Sequence, residues 1–315
     1  MPKNLLSGHD SRGLELPLPD AAAIAHSARL VDVIATRIEA RGGVIGFDEY
    51  MQMALYEPGL GYYSAAAAKF GRSGDFVTAP EISPLFGFCL ARQAAAVIEQ
   101  GCAARILEFG AGSGKLCAQI LSILPTLERY QILDLSADLK QRQQKYLRAE
   151  LSAELFHKIE WLSSLPQEFD GIVLANEVLD AMPVHILTKQ GEWLECGIGY
   201  DGQVFTWQTF TPQQTVIDSI GSIEARLGDF AEGYRSELNL NYGPWLKALA
   251  LSCKRALVLI IDYGYEQDQY YHPSRARGTL TCHYQHRVHT CLLYTSPSPR
   301  DCNEYLVCRL LLENG

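Results

Sequence analysis

Residues 106–114 read ILEFGAGSG, and this stretch decides the fold. It is an apolar strand that runs into a loop with glycine at every second position, Gly110, Gly112 and Gly114. Alternating glycines let the backbone turn sharply and approach a ligand closely. The helix predicted next, Lys115 to Leu124, directs its unpaired N–H groups at the same place. The pattern therefore predicts a loop that cradles a small polar cofactor.

Two other glycine-loop motifs do not fit. The dinucleotide pattern G-x-G-x-x-G fails because Lys115 stands where the third glycine belongs. The phosphate loop G-x-x-x-x-G-K-[ST] fails because three residues separate Gly110 from Gly114, and because Leu116 follows the lysine. The loop therefore favours neither a dehydrogenase nor a nucleotide-hydrolysing enzyme.

An acidic residue at the end of the next predicted strand narrows the cofactor. Tyr130 to Leu135 reads as that strand, and Asp134 lies at its carboxyl end. A carboxylate there can accept both hydroxyls of an adenosine ribose. The structural alternative is that Asp134 caps the helix predicted over Leu139 to Leu147, a role that Ser136 can also fill. Loop and acid together predict S-adenosylmethionine as the cofactor.

Strand and helix patterns alternate from position 105 onward. The predicted strands are Ile106 to Phe109, Tyr130 to Leu135, Lys158 to Leu162, Gly171 to Ala175 and Ala256 to Ile261. Alternation of this kind predicts an α/β fold, a doubly wound and mostly parallel Rossmann-like sheet with ligands at the strand carboxyl ends.

The rest of the chain divides around this core. Residues 1–100 are expected to form an N-terminal helical and lid region, with a helix within Pro19 to Gly42 and an ordered lid from Tyr56 to Gly87. Residues 101–183 and 251–289 are predicted to form the cofactor-binding core. Short strands at Glu192 to Gly199 and Gln203 to Phe210 suggest that 184–250 is an inserted substrate subdomain.

Composition limits the partners. The net charge of −9 argues against a nucleic-acid partner and suits a cationic substrate. The longest apolar run, Ala256 to Ile261, is too short for a membrane span. Asp10, Glu15 and Asp20 argue against a secretory or transit peptide, so we expect a cytoplasmic protein. The nine cysteines include no C-x-x-C pair, so no metal site is expected from them.

Several motifs resemble those of a known family, and the match covers roughly residues 20 to 289. The matching stretches are FDEYM at 47–51, LYEPGLGYY at 55–63, GDFVTAPEISPLFG at 74–87, LEFGAGSG at 107–114, NEVLDAMPV at 176–184 and DYGY at 262–265. They resemble the MidA-like class I methyltransferases, which are related to the mitochondrial complex I assembly protein that methylates a protein arginine. The resemblance implies an S-adenosylmethionine-dependent enzyme that acts on protein arginine, with a respiratory-complex subunit as the candidate substrate.

The agreement ends after His289. Residues 290–315 read TCLLYTSPSPRDCNEYLVCRLLLENG, and LLYTSPSPRD resembles translated sequencing-adapter readthrough. We interpret 290–315 as a non-native tail. The alternative is a divergent surface tail.

Transfer of a methyl group to arginine requires carboxylates, because the guanidinium charge must be held and localised away from the attacking nitrogen. Four are candidates: Glu177 and Asp180 after the fourth strand, and Glu81 and Asp75 in the lid. Glu177 is the first choice, because its strand end faces the cofactor. The alternative for Glu177 and for Asp180 is a structural cap.

The remaining candidates concern the cofactor. Glu108 can orient the glycine loop or meet the methionine amino group, and Asn176 is a further candidate for the cofactor. Trp161 can stack on adenine or simply pack in the core. His185 is either a proton acceptor or a structural histidine. Two further functions stay open, a cofactor-binding assembly factor and a methyltransferase for another acceptor.

Overall fold

A computed structural model of the protein describes residues 19, 21–64, 78–284, 286–289 and 309–312. Its helices are α1 (Ala21–Ala40), α2 (Phe47–Tyr56), α3 (Ala79–Ile82), α4 (Pro84–Glu99), α5 (Lys115–Ile123), α6 (Ala137–Glu150), α7 (Ala153–Phe156), α8 (Gln214–Leu227), α9 (Tyr242–Ser252) and α10 (Gln267–Tyr270). Its strands are β1 (Ile45–Gly46), β2 (Arg105–Phe109), β3 (Arg129–Leu133), β4 (Ile159–Leu162), β5 (Phe169–Asn176), β6 (His185–Gln190), β7 (Glu192–Tyr200), β8 (Phe205–Phe210), β9 (Arg235–Leu238), β10 (Cys253–Ile261), β11 (Leu280–Tyr284), β12 (Arg287–His289) and β13 (Arg309–Leu312).

The chain divides into two compact units. One unit contains Tyr63–Leu179 and Gly243–Asp262, and the other contains Met1–Tyr62, Asp180–Tyr242 and Tyr263–Gly315. We refer to them by their main sheets, as the parallel-sheet unit and the antiparallel-sheet unit.

Five strands form the parallel sheet, in the order β10-β5-β2-β3-β4. Neighbouring side chains on β2 enter opposite cores: Ile106 packs with Ile120 of α5, and Leu107 packs with Val173 of β5. Helix α9 covers the second face through Leu249. All five strands predicted from the sequence are present, and the predicted doubly wound α/β fold is confirmed.

The strand order places the crevice. The chain runs from β2 outward to β3 and β4, then returns to β5 on the other side of β2. The chain connections that follow β2 and β5 therefore leave in opposite directions. In sheets of this kind, ligands bind in the crevice between two such strands, beyond their carboxyl ends. The residues at that point are Gly110, after β2, and Asn176 with Glu177, at the end of β5.

The antiparallel-sheet unit contains the two short strands predicted from the sequence, as β7 and β8, and β6, which the sequence pattern did not predict. Strand β9 pairs with β6, and both β1 and β8 pair with β7. Helix α8 packs Val216 and Ile220 against Leu187 of β6. The two units do not follow the predicted segment boundaries. Strand β1 lies in the predicted N-terminal region but pairs with β7 of the antiparallel sheet. Helix α9 begins in the predicted inserted subdomain but packs Trp245 against Phe109 of the parallel sheet.

The lid prediction needs a correction. The sequence predicts an ordered loop-like lid over Tyr56 to Gly87, but residues 79–82 and 84–87 lie in helices α3 and α4, with Ser83 between them. The hydroxyl of Ser83 accepts a hydrogen bond from the Leu85 N–H, and Pro84 occupies the first helical position, which is where proline is tolerated. The predicted N-terminal helix is present as α1. Asp75 lies outside the described residues.

Two further expectations can be compared with the structure. No helix in the described ranges is long and apolar enough to cross a membrane. Of the predicted non-native tail, residues 309–312 are described, and as β13 they pair antiparallel with β11. The origin of 290–315 therefore stays a hypothesis.

Candidate cofactor and active site

The glycine loop has the backbone that the sequence predicts. Gly110, Gly112 and Gly114 all have positive φ, at +60°, +55° and +86°. Residues with a Cβ rarely adopt this left-handed conformation, so glycine is strongly favoured at all three positions. Gly114 precedes α5 and provides no side-chain cap. The loop therefore presents backbone N–H groups at a helix N-terminus, an arrangement suited to a polar ligand.

Glu81 of α3 holds this loop. Its Oε1 accepts a hydrogen bond from the Ser113 hydroxyl at 2.6 Å, and its Oε2 accepts one from Lys115 Nζ at 2.6 Å. The carboxylate is mostly buried. Because the loop engages both oxygens, we assign Glu81 to loop positioning and not to the substrate role expected from the sequence.

Asp134 follows β3 directly, beside the glycine loop. Its Oδ1 accepts a hydrogen bond from the Ser136 N–H at 3.1 Å, and its Oδ2 accepts one from Gln143 Nε2 at 3.0 Å. The Ser136 hydroxyl in turn caps α6 by accepting from the Leu139 N–H. The helix therefore has its cap without Asp134, which leaves the ribose role as the reading that the geometry favours.

Gln143 connects the predicted site residues, and sequence reasoning missed it. Its side chain is fully buried on α6. Its amide nitrogen donates to Gly112 O at 3.1 Å and to Asp134 Oδ2, and its amide oxygen accepts from Trp161 Nε1 at 2.9 Å. A signal was available, because a glutamine interrupts the apolar face of α6 between Leu139 and Leu147. A buried amide in such a stripe must find polar partners.

Trp161 is fixed by its indole N–H. That group donates to Gln143, and the ring lies 6.1 Å from the ring of Phe156 at a tilt of 47°. These contacts agree with the packing role, which was one of the two roles considered for Trp161 from the sequence. Contact with adenine stays a prediction.

Glu108 has an unusual environment at the end of β2. It is 3% exposed, and it accepts a hydrogen bond from the Tyr130 hydroxyl at 2.9 Å. Burial raises the pKa of the Glu108 carboxyl to about 8, with a smaller contribution in the same direction from Asp134, although the hydrogen bond from Tyr130 opposes the shift. At neutral pH the side chain is therefore mostly protonated.

Glu177 stands at the crevice in a strained conformation. Its φ is +51°, which is uncommon for a residue with a side chain and clusters at functional sites. Its N–H donates to Ile261 O at 2.8 Å, and Asn176 Nδ2 lies 3.5 Å from its Oε1. The next residue, Val178, contacts the loop closely: a Cβ on Gly110 would lie 3.5 Å from Val178 Cγ2. The β5 turn thus meets the glycine loop.

The surroundings of Glu177 and Asp180 bear on whether either residue is a structural cap. The Leu179 N–H of this turn donates to Asp262 Oδ2 at 2.7 Å, so Asp262 holds that amide. Asp180 belongs to the antiparallel-sheet unit and is 1% exposed. Burial of this degree closes a carboxylate to a protein substrate. We therefore retain Glu177 as the candidate and interpret Asp180 as structural.

Replacing Asp134 tests the ribose site. We expect Asp134→Ala to weaken binding of S-adenosylhomocysteine by about 1–3 kcal/mol, the scale for leaving ribose hydroxyls unpaired. Titration calorimetry on the full chain measures it. Asp138→Ala, which removes a surface carboxylate of the same unit, is the control and should bind normally. Unchanged affinity in Asp134→Ala would remove Asp134 from the site.

A double-mutant cycle tests Gln143. We expect Gln143→Leu to weaken binding on the same scale, because Asp134 and the Gly112 carbonyl lose their shared donor. If Gln143 acts through Asp134, the double variant should lose less than the sum of the single losses. Strict additivity would show that Gln143 contributes independently of Asp134.

Comparisons with known proteins agree with this geometry. A family described as "Putative S-adenosyl-L-methionine-dependent methyltransferase" matches residues 89–298, well over half of the chain. A crystal structure of a COG1565 superfamily member from Burkholderia thailandensis, bound to S-adenosyl-homocysteine, superposes with a TM-score of 0.84. It is 37% identical, and the match covers 95% of this chain and 76% of that one.

Animal proteins are among the curated relatives. The zebrafish mitochondrial protein arginine methyltransferase NDUFAF7 is 30% identical over an alignment 199 positions long, and the alignment covers 53% of this chain and 46% of that protein. The Drosophila melanogaster homologue is 27% identical over an alignment 311 positions long, and the alignment covers 87% of this chain and 68% of that protein. The chain thus spans between about half and two thirds of these two relatives.

The expected cytoplasmic location is wrong by this comparison, because the curated relatives are named as mitochondrial proteins. The expectation depended on three acidic residues near the N-terminus, and scattered charges in one segment do not determine a compartment.

The predicted α/β fold class and the predicted cofactor are confirmed. This chain combines a glycine loop at the end of β2, an acidic residue directly after β3 and a doubly wound sheet, and its residues 89–298 match the family. The predicted resemblance and its cofactor, S-adenosylmethionine, agree with the family description and with the ligand of the Burkholderia protein. The chain belongs to this family of S-adenosylmethionine-dependent methyltransferases.

Proposed function

We propose that the protein transfers a methyl group from S-adenosylmethionine to a guanidino nitrogen of a protein arginine. The observation that carries the proposal is Glu177, a carboxylate held in a left-handed conformation at the crevice where the β5 turn meets the glycine loop. The names of the animal relatives support arginine as the acceptor. We take a respiratory-complex subunit as the first candidate substrate, following the resemblance found in the sequence.

The parallel-sheet unit offers groups that fit the cofactor. The N–H groups of the glycine loop suit its carboxylate, Asp134 suits its ribose hydroxyls, and Glu108 and Asn176 lie at the two strand ends beside the loop. Glu81 and Gln143 would fix these groups in place through Ser113, Lys115 and Asp134. S-adenosylmethionine supplies an activated methyl group when it is bound.

Glu177 would provide the chemistry on the acceptor side. An arginine is a poor nucleophile, because its lone pairs are delocalised over three nitrogens and its charge persists in water. A carboxylate that binds two of the guanidinium N–H groups holds the positive charge near the nitrogens that do not attack. It also positions the third nitrogen in line with the methyl group, and methyl transfer depends mainly on such positioning. Asp75 is a second candidate for this role.

The experiment is a transfer assay. The full chain is incubated with S-adenosylmethionine labelled in the methyl group and with extracts from cells that lack the gene, and mass spectrometry locates the label. We expect label on arginine of a small number of proteins. Label on another residue type would contradict arginine specificity. Tight cofactor binding without label on any protein would contradict the proposed activity as a whole and would favour a cofactor-binding assembly factor.

A further inference from the structure

Three metal-ligating side chains converge in the antiparallel-sheet unit. Asp48 lies in the first turn of α2, His185 begins β6, and Glu195 lies on β7. One ligand atom from each lies within 4.8 Å of the other two. His185 Nδ1 is 2.7 Å from Glu195 Oε1 and 3.7 Å from Asp48 Oδ1. We call these three residues the Asp48 cluster.

The fold brings the cluster together for a specific reason. Strands β6 and β7 pair with Ile186 opposite Cys196, and β1 pairs with β7 with Gly46 opposite Gly197. Gly46 precedes α2 and has no side chain in the way: a Cβ there would collide with the Asp48 carboxylate and would lie 3.2 Å from Glu195 Oε1. Any larger residue at position 46 would separate the two carboxylates.

Two carboxylates and a single imidazole form the cluster, so its acidic groups outnumber its basic one. Within the described part of the chain, Asp48 and Glu195 both form their side-chain ion pairs with His185. Two carboxylates therefore share one imidazole, and the side chain of Glu195 is 4% exposed. A buried carboxylate without full compensation is costly. A divalent cation with a neutral imidazole would bring the net charge of the cluster to zero.

The ligand types select the kind of cation. A nitrogen from histidine with two carboxylate oxygens is typical of Zn²⁺ and similar transition-metal ions, whereas Ca²⁺ and Mg²⁺ prefer six or more oxygens. Tetrahedral coordination at 2.0–2.2 Å places ligand atoms roughly 3.4 Å apart, close to the spacing of His185 Nδ1 and Asp48 Oδ1. Asp48 is the most exposed of the three, which leaves a path for the ion and for a water as fourth ligand.

We propose that the Asp48 cluster binds one Zn²⁺-type ion that joins the start of α2 to the β6–β7 hairpin. The ion would replace the proton shared between His185 and Glu195. Its role would be structural, because it would tie together segments that are about 140 residues apart in the sequence. The proposal does not depend on the methyltransferase activity.

Titration of the chelator-treated full chain with ZnCl₂ tests the site. We expect one Zn²⁺ to bind per chain and to raise the melting temperature. Asp48→Asn should weaken binding by roughly tenfold or more, and Glu195→Gln and His185→Gln should weaken it further. His157→Gln is the matched control, since His157 is an exposed histidine of the other unit, and it should bind as the parent does.

Co²⁺ identifies the ligands. The bound ion should give visible absorption bands without the intense near-ultraviolet band of thiolate ligands, which separates this site from binding to any of the nine cysteines. A thiolate band, equal affinity in all the variants, or no binding by the parent chain would each overturn the proposal. In the last case the cluster is a histidine held by two carboxylates. Asp48→Asn lies at the exposed edge, so it still reports on the site if the buried variants do not fold.

Discussion

Glu177→Gln should lower methyl transfer to an arginine protein by roughly tenfold to a thousandfold while cofactor affinity stays within about twofold. Glutamine keeps the size of the side chain and occupies the same left-handed backbone. It removes the negative charge that would hold the guanidinium, so the loss falls on catalysis rather than on folding. The measurement is the rate of label transfer at saturating S-adenosylmethionine, together with calorimetry for the cofactor.

Glu160→Gln is the matched control for this prediction. Glu160 lies on β4 of the same unit, where its carboxylate is exposed and accepts a hydrogen bond from Gln131. The control should retain full activity. The assignment would be wrong if Glu177→Gln melted well below the parent protein but kept its specific activity when folded. In that event the charge of Glu177 serves stability, and Asp75 becomes the first candidate for the substrate carboxylate.

The strained backbone at position 177 offers a second variant. Glycine adopts a φ of +51° without steric cost, so Glu177→Gly relieves the left-handed strain. Activity should fall as in Glu177→Gln, but stability should not fall with it. Loss of activity without loss of stability is the result expected where a strained backbone conformation is retained because the side chain is needed for function. Parallel losses in both would indicate that the side chain mainly holds the turn.

Most of the fold and the cofactor loop could be predicted from local sequence signals. The three alternating glycines could be interpreted because their spacing is itself the cause of the backbone geometry. Asp134 could be placed because it follows an apolar strand by one residue. Strand ends and helix starts depend on neighbours in the chain, and those neighbours are visible in any sequence.

The supporting contacts depend on pairs that are distant in the chain. Glu81 was expected near the substrate, but it binds Ser113 and Lys115, more than thirty residues away. An acidic residue in a loop has no local feature that identifies which distant donor it meets. Gln143 is the intermediate case, since its burial could be inferred from the apolar stripe of α6, whereas its partners could not.

The Asp48 cluster shows the same limit more strongly. His185 and Glu195 are ten residues apart on a hairpin, so their proximity could have been inferred from strand pairing. Asp48 joins them because the two-residue strand β1 attaches to β7, and a strand of two residues has no periodicity to detect.

Burial of Glu108 should make the protein lose stability as the pH rises. The folded-state pKa is about 8 and the ordinary value is 4.5, so between these values the folded chain holds a proton that the unfolded chain has released. The free energy of unfolding should therefore fall by up to about 1.4 kcal/mol per pH unit across this window and level off above it. Below the lower value both states are protonated, and the contribution of Glu108 is constant.

Glu108→Gln removes this dependence, because glutamine stays neutral and can still accept the hydrogen bond from Tyr130. Chemical denaturation at pH 5, 6, 7 and 8 measures both proteins, and the stability of the variant relative to the parent should increase steadily with pH. Other titrating groups are common to both proteins and cancel in the difference. Parallel curves would show that Glu108 ionises normally in the folded protein.

The same measurement separates the two roles weighed for Glu108. If its carboxylate meets the amino group of the cofactor, saturating S-adenosylhomocysteine places a positive charge beside it and lowers its pKa. The pH range in which the folded chain keeps the extra proton then becomes narrower. The difference in free energy of unfolding between variant and parent therefore becomes smaller at pH 7 to 8. If Glu108 only orients the glycine loop, the cofactor raises the stability of both proteins but leaves the pH dependence of their difference unchanged. If the cofactor changes how the stability difference between variant and parent depends on pH, Glu108 contacts the ligand. If the cofactor leaves that pH dependence unchanged, Glu108 only orients the loop.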